Sequence, residues 1–210
     1  MMKIAVIGTG NVGRTLGVSW ANKGHQLIFG SRDPHSEKVK EILAAAGPNA
    51  NAAGIAEAGA VADVIVLATP WDILPQIVET LGDVAGKIVV DATNPIGPGF
   101  QLAVGTTTSG AEQVAGWAKG ARVVKAFNTT GWENMADPIY HGEPITMFIC
   151  GDDAAAKTAV AGLAEDLGFE VADSGPLATA RYLEPLAMIW IHLAIVQKQG
   201  RQVALKIVKR

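Results

Sequence analysis

The chain has 210 residues, 49% of them apolar and 18% charged, with a net charge of −3. That length suits one well-filled α/β domain with a small extension, or two small domains. No basic stripe is present, which excludes nucleic-acid binding, and a single cysteine, Cys150, excludes an internal disulfide or a thiolate metal cluster.

The first apolar run, 3–8, reads as a strand rather than a signal peptide, so a cytoplasmic location is expected. It leads into Gly8-Thr9-Gly10-Asn11-Val12-Gly13, a helical pattern over 12–23, and a second strand over 26–30 that ends in Gly30-Ser31-Arg32. A glycine triplet alone is weak evidence. Strand, Gly-x-Gly-x-x-Gly turn, helix and second strand in that order, within about thirty residues, describe a dinucleotide-binding unit. Gly8 serves the tight turn, Gly10 the approach of a pyrophosphate, and Gly13 the close packing of helix on strand. The helix N-terminus adds unpaired N–H groups and a partial positive charge. An NAD site places Asp or Glu at the end of the second strand for the ribose 2′-OH. Ser31 and Arg32 stand there instead and suit a 2′-phosphate, so NADP(H) is expected. Asp33 is expected to point away, in a turn that starts the next helix near Pro34.

Helical patterns over 35–46, 54–59, 71–81 and 109–118 alternate with strands near 50–52 and over 64–68, 87–91 and 122–127. Runs apolar on both faces, such as 4–7 and 64–67, suit a mainly parallel sheet covered by helices, the doubly wound Rossmann-like α/β fold. A strand over 145–150, a helix over 153–167, a strand over 170–173 and a long helix from about 178 to 198 follow, with 203–209 as a short strand or closing tail. The expected division is an NADP-binding domain over 1–143 and a small C-terminal α/β domain over 144–210. Residues 186–196 are apolar on all sides except at His192. Such a helix spans about 16 Å, short of a hydrocarbon core of about 30 Å, so a dimer interface rather than a membrane is expected to bury it.

In an open α/β sheet, ligands lie beyond the carboxyl ends of the strands. Three of these ends are rich in small polar groups: Thr69-Pro70-Trp71, Asn94-Pro95 and Asn128-Thr129-Thr130. Thr69 and Pro70 are candidates to fix the backbone under the nicotinamide ribose, and Trp71 to supply an aromatic wall. Asn94, Asn128, Thr129 and Thr130 are candidates to hydrogen-bond a flat heterocycle. Pro70 and Pro95 also suit plain helix or turn starts, and Trp71 a core position. No Lys–Asp, Ser-Tyr-x-x-x-Lys or His–Asp arrangement presents itself as a proton donor, and His25 reads as a cap of the preceding helix. No catalytic acid or base is assigned. Hydride transfer between two aligned rings fits that inventory.

A resemblance rests on Ile7 to Gly13, Gly30-Ser31-Arg32, Thr69-Pro70-Trp71, Val124-Lys125-Ala126-Phe127-Asn128, Cys150-Gly151-Asp152-Asp153, Asp173-Ser174-Gly175-Pro176-Leu177 and the tail Ala204-Leu205-Lys206-Ile207. In these residues the chain resembles the F420-dependent NADP oxidoreductase family. A related version of the fold forms the reductase domain of six-transmembrane metalloreductases. The resemblance implies a homodimer, with NADP contacts from Thr9, Gly10, Asn11, Val12, Ser31 and Arg32. It places Pro70 and Trp71 by the nicotinamide and the second ring at the loop after Phe127. The implied reaction is hydride transfer between NADP(H) and F420 or a flavin-like acceptor such as FMN or FAD. Archaeal members that reduce F420 tend to carry a His-Thr-Ile-Pro-like segment where this chain reads Asn128-Thr129-Thr130-Gly131. They also have an apolar segment in place of Thr93-Asn94-Pro95. Reduction of a small imine or carbonyl compound, and a redox sensor that binds NADP without turnover, are the alternatives.

Overall fold

The computed structural model describes residues 1–210. Strands and helices alternate through β1 (Lys3–Ile7), α1 (Asn11–Asn22), β2 (Gln26–Gly30), α2 (Glu37–Ala46), β3 (Ala50–Ala53), α3 (Ile55–Val61), β4 (Val64–Leu67), α4 (Leu74–Leu81) and β5 (Ile88–Asp91). A small hairpin of β6 (Ile96–Gly97) and β7 (Gln101–Leu102) precedes α5 (Gly110–Trp117), β8 (Arg122–Lys125) and the short helix α6 (Trp132–Ala136). A second hairpin, β9 (Ile139–Tyr140) with β10 (Glu143–Pro144), leads into β11 (Thr146–Gly151), α7 (Ala154–Asp166), β12 (Glu170–Asp173) and α8 (Ala180–Ile191). The last helix runs on into a π-helical turn over His192–Val196.

Eight strands join in one sheet in the order β12-β11-β8-β5-β4-β1-β2-β3. Every pairing is parallel except β11 against β8, so the sheet is the expected Rossmann-like, mainly parallel one. The strands of the C-terminal stretch extend this sheet rather than forming one of their own. Successive side chains of a strand point to opposite faces, and β1 divides accordingly. Ile4 and Val6 join Leu16 and Trp20 of α1, Ile42 of α2 and Val160 of α7 in one core. Ala5 and Ile7 join Ala58 of α3, Ile77 of α4, Val114 of α5 and Leu183 of α8 in the other. Trp20 is wholly buried, donates its indole N–H to the Leu163 carbonyl at 2.9 Å and meets Phe127 edge-on at 5.4 Å. Truncating such a residue to Ala costs about 3–5 kcal/mol. It clamps α1 to α7 of the C-terminal stretch.

Several boundaries differ from the sequence reading. The helix expected near Pro34 starts at Glu37, because Asp33 to Ser36 form a turn. In that turn Asp33 Oδ1 accepts the His35 N–H at 3.1 Å, and Ser36 Oγ donates to the Asp33 carbonyl at 3.0 Å. His25 does not cap the helix before it. Its Nδ1 accepts the Met2 N–H at 3.3 Å, which leaves the Nε2 proton for Asp166 Oδ2 at 3.0 Å. Residues 203–209 form no strand, and the tail lies along β11 through Thr146 N to Leu205 O and Ile207 N to Thr146 Oγ1. The apolar stretch over 186–196 is only partly covered, and Ile189 is 54% exposed. No helix is long and apolar enough to cross a membrane. Cys150 is buried as expected, and burial pushes its thiol up to about 12.

Candidate functional site

A cleft of about 230 Å³ opens at the carboxyl ends of β1, β2 and β4, lined by Gly8, Thr9, Gly10, Ser31, Arg32, Thr69 and Pro70 over a floor that includes Ile7, Ile55 and Ile77. Gly8 has φ +118°, and a Cβ there would lie 2.4 Å from the Ala68 carbonyl oxygen, so the turn tolerates no side chain. A Cβ on Gly13 would lie 2.0 Å from the Gly8 carbonyl oxygen, which is how tightly α1 closes on the loop. Gly10 is the opposite case, with no atom within 4 Å of the Cβ position. That space lies at the start of α1, which has no side-chain cap bond, so its first-turn N–H groups have no acceptor within the helix. Thr69 Oγ1 is buried here without a hydrogen-bond partner. Open space at Gly10, uncommitted helix N–H groups, an unpaired hydroxyl and an exposed arginine fit a phosphorylated dinucleotide.

Asp33 is outside the lining of this cleft, and its Oδ1 accepts the His35 N–H within its own turn. Ser31 Oγ donates to the Asp33 carbonyl at 3.1 Å, a bond it must exchange to reach a phosphate. Asn11 is exposed at the helix start, and Val12 faces a second cleft. Four of the expected cofactor residues line neither cleft: Asn11, Gly13, Trp71 and Pro95. Trp71 lies against Trp117 with ring centroids 5.5 Å apart, and Pro95 is buried beside Gly110.

The second cleft, about 220 Å³, adjoins the first at the start of α1. Its 12 lining residues include Asn94, Phe100, Asn128, Thr130, Trp132, Trp190 and Arg201, and none except Arg201 is ionisable. Asn94 Nδ2 donates to the Asn128 carbonyl at 2.9 Å, while Asn128 Nδ2 donates to Asn94 Oδ1 and to the Leu183 carbonyl, both at 3.1 Å. Both Asn128 N–H donors are thereby used, and its Oδ1 is buried with no donor. The chain reaches Asn128 through Phe127, whose φ of +62° is left-handed, a conformation that costs a bulky residue about 1–2 kcal/mol. Thr130 Oγ1 accepts from Asn134 Nδ2 at 2.8 Å, and Thr129 is buried and lines neither cleft.

Behind the two asparagines lies a charged cluster that the sequence reading missed. Lys125 Nζ donates to Asp91 Oδ2 at 2.8 Å, to the Thr93 carbonyl at 2.8 Å and to Glu184 Oε1 at 2.9 Å, and all three charged side chains are at most 2% exposed. Glu184 also accepts the Gly110 and Ala111 N–H groups, the first turn of α5. A Lys–Asp pair therefore exists where none was seen, because β5 and β8 are neighbours and place Asp91 opposite Lys125 in register. Burial alone would lower the Lys125 pKa, but Asp91 and Glu184 outweigh it and hold it above the ordinary lysine value. Buried and committed to three acceptors, this ammonium is a support and no proton donor. A lone lysine between Val124 and Ala126 in an apolar strand was the available signal, since a buried charge needs a partner. Arg201 and Trp190 gave no comparable signal, being distant in sequence from the strand ends they face.

The sequence profile described as NADP oxidoreductase, coenzyme F420-dependent, matches residues 3–95. The F420-dependent NADP reductase of Methanothermobacter thermautotrophicus is 32% identical over 212 residues, covering 93% of this chain and 90% of that protein. A candidate F420-dependent NADP-reductase from Arthrobacter sp. FB24, solved by crystallography, superposes with a TM-score of 0.90 at 35% identity over 100% of both chains. The metalloreductase STEAP3 of Rattus norvegicus is 29% identical over 89% of this chain, which spans only 36% of that protein's length. With the dinucleotide turn, the doubly wound sheet and the two strand-end clefts, these likenesses make the chain an NADP-dependent oxidoreductase that belongs to the F420-dependent NADP oxidoreductase family.

Proposed function

We propose that the protein transfers a hydride between NADP(H) and a flat aromatic acceptor of the F420 or flavin type, FMN or FAD included, held in the second cleft. Gly8, Thr9, Gly10, Asn11, Val12 and Gly13 hold the diphosphate, Ser31 and Arg32 select the 2′-phosphate, and Thr69 and Pro70 support the ribose. When bound, the nicotinamide supplies the hydride chemistry. Asn94, Asn128 and Thr130 orient the acceptor, while Phe100, Trp132 and Trp190 keep water from the junction. Thr129, Pro95 and Trp71 support the site from behind its walls. Residues 1–143 hold the dinucleotide, and residues 144–210 contribute Trp190 and Arg201 to the acceptor side. The observation that carries this reading is a polar and aromatic cleft with no acid or base, adjoining the glycine turn. A reductase of carbonyl groups needs a proton donor there.

The uncovered groove of about 350 Å³ that includes Met188, Ile189, Leu193 and Val196 supports a homodimer, which sedimentation tests. A cytoplasmic setting suits the single thiol and a supply of NADPH. The decisive assay follows NADPH oxidation with F420, FMN and FAD separately. Turnover is expected with at least one, and none above the enzyme-free rate with all three defeats the reading.

A further inference from the structure

We propose that Arg201 binds an anionic group, a phosphate or carboxylate, carried by the electron acceptor. This rests on the acceptor reading above and narrows it to acceptors that bear such a group.

Arg201 is the one ionisable residue lining the second cleft, and its side chain is 40% exposed. It is held in place from two directions. Its Nε donates to Glu133 Oε1 on α6, and its guanidinium carbon stands 5.3 Å from the ring centroid of Trp190. Trp190 is itself fixed, since its indole N–H donates to the Val203 carbonyl at 2.5 Å and its surface is 4% exposed. Arginine and ring therefore form one preorganised wall of the cleft.

The manner of the pairing with Glu133 is informative. An arginine whose whole task was to neutralise a carboxylate would engage both oxygens through two parallel N–H bonds. Here Glu133 uses Oε1 only, and its Oε2 is buried without a partner. Neither Nη group of Arg201 has an acceptor within the protein. The two uncommitted nitrogens belong to a planar cation held at a cleft that offers no other charge, and a planar fork of that kind matches phosphate and carboxylate oxygens. Arg32, the residue proposed for the 2′-phosphate of the dinucleotide, lines the first cleft and not the second, so the free fork serves the second ligand.

FMN and riboflavin share a ring and differ by one phosphate, which makes them the probes. Their affinities for the NADP⁺-saturated, full-length protein are read by flavin fluorescence, with KM for NADPH measured alongside. The wild type is expected to bind FMN about tenfold or more tightly than riboflavin, as charge-assisted hydrogen bonds require. Arg201→Gln is expected to erase that preference by weakening FMN far more than riboflavin, with the KM for NADPH moving much less than either. Arg201→Lys keeps the charge without the fork and is expected to fall between. Glu133→Gln loosens the arginine without removing it, and it should reduce the preference should Arg201→Gln fail to fold. An equal FMN-to-riboflavin ratio in wild type and Arg201→Gln overturns the proposal, as does a rise in the NADPH KM alone, which would assign the residue to the cofactor. Failure to bind or reduce either flavin or F420 overturns the acceptor reading as well, so the two failures are told apart.

Discussion

The cleft at the glycine turn and the cleft proposed for the acceptor adjoin at the start of α1 yet are made of different material. Backbone and glycine form the first: the turn at Gly8, the close contact at Gly13 and the open position at Gly10 are all set within one strand–turn–helix unit. Side chains from four distant stretches form the second, with Asn94 after β5, Asn128 after β8, Trp190 on α8 and Arg201 in the tail. A backbone site is specified locally and is easily abolished by adding atoms. A side-chain site depends on what holds the segments together, which here is the buried Lys125–Asp91–Glu184 cluster for β5, β8 and α8, and the Arg201–Glu133 and Trp190–Val203 bonds for the tail. The first should fail in binding while the fold survives, and the second should fail through the fold itself.

Gly10→Val tests the first half of that contrast and carries the largest expected loss. No atom lies within 4 Å of the Cβ position and the backbone φ of −73° suits any residue, so stability should stay within about 0.5 kcal/mol of wild type. Dinucleotide binding by calorimetry should disappear. Unchanged affinity would place the diphosphate elsewhere. Lys125→Met tests the second half. Removing one partner from a buried ionic cluster leaves uncompensated carboxylates and costs about 3–5 kcal/mol in denaturant unfolding. NADPH affinity of the folded fraction should change little. A variant as stable as wild type would show that the cluster is not what secures the acceptor side.

Arg32→Ala sharpens the contrast within the first cleft, where the one expected charge contact is a side chain. Its loss should weaken NADPH by about 1.5–3 kcal/mol and leave NADH almost untouched, because only the former carries a 2′-phosphate. Equal losses for the two cofactors in parallel titrations would remove Arg32 from the 2′-phosphate. The effect should also shrink with added salt, since Arg32 is exposed.

The same division explains what could be read from the sequence. Gly8, Gly10, Gly13, Ser31 and Arg32 were legible because their spacing along one crossover fixes their geometry, and all except the packed Gly13 line the first cleft. The parallel strands were legible from apolar runs such as Val64–Leu67, and only their ends moved by a residue or two. Asn94, Asn128 and Thr130 were found from their place at strand ends, whereas Thr129, Trp71 and Pro95 share that place without facing a cleft. Local sequence does not say which way a residue turns after a left-handed Phe127. Lys125, Glu184 and Arg201 were missed because their partners are 34, 59 and 68 positions away. The hairpin strands and α6 are too short, at two to five residues, to produce a recognisable period.

The smallest expected effect concerns the outer edge of the side-chain region. Glu112 on α5 receives Arg181 of α8 through two bonds, Nη2 to Oε1 at 2.6 Å and Nε to Oε2 at 2.9 Å, with the Ser109 hydroxyl donating to Oε2 at 2.8 Å. The Arg181 bond lowers the Glu112 pKa below the ordinary glutamate value of 4.5, against the opposing influence of burial, and Ser109 assists. A carboxylate with a depressed folded pKa adds stability that is complete above its unfolded value and is lost as pH falls through the folded one. Wild-type stability should therefore decline below about pH 4.5 in part through this group. Glu112→Gln, which cannot titrate, should show a shallower decline between about pH 5 and about pH 3 in urea midpoints, from a slightly lower plateau at neutral pH. Because the pair joins α5 to the helix that carries Glu184 and Trp190, the same variant should raise the acceptor KM more than the NADPH KM. Parallel acid profiles for wild type and variant, with both KM values unmoved, would mean that the α5–α8 joint depends on Glu184 alone.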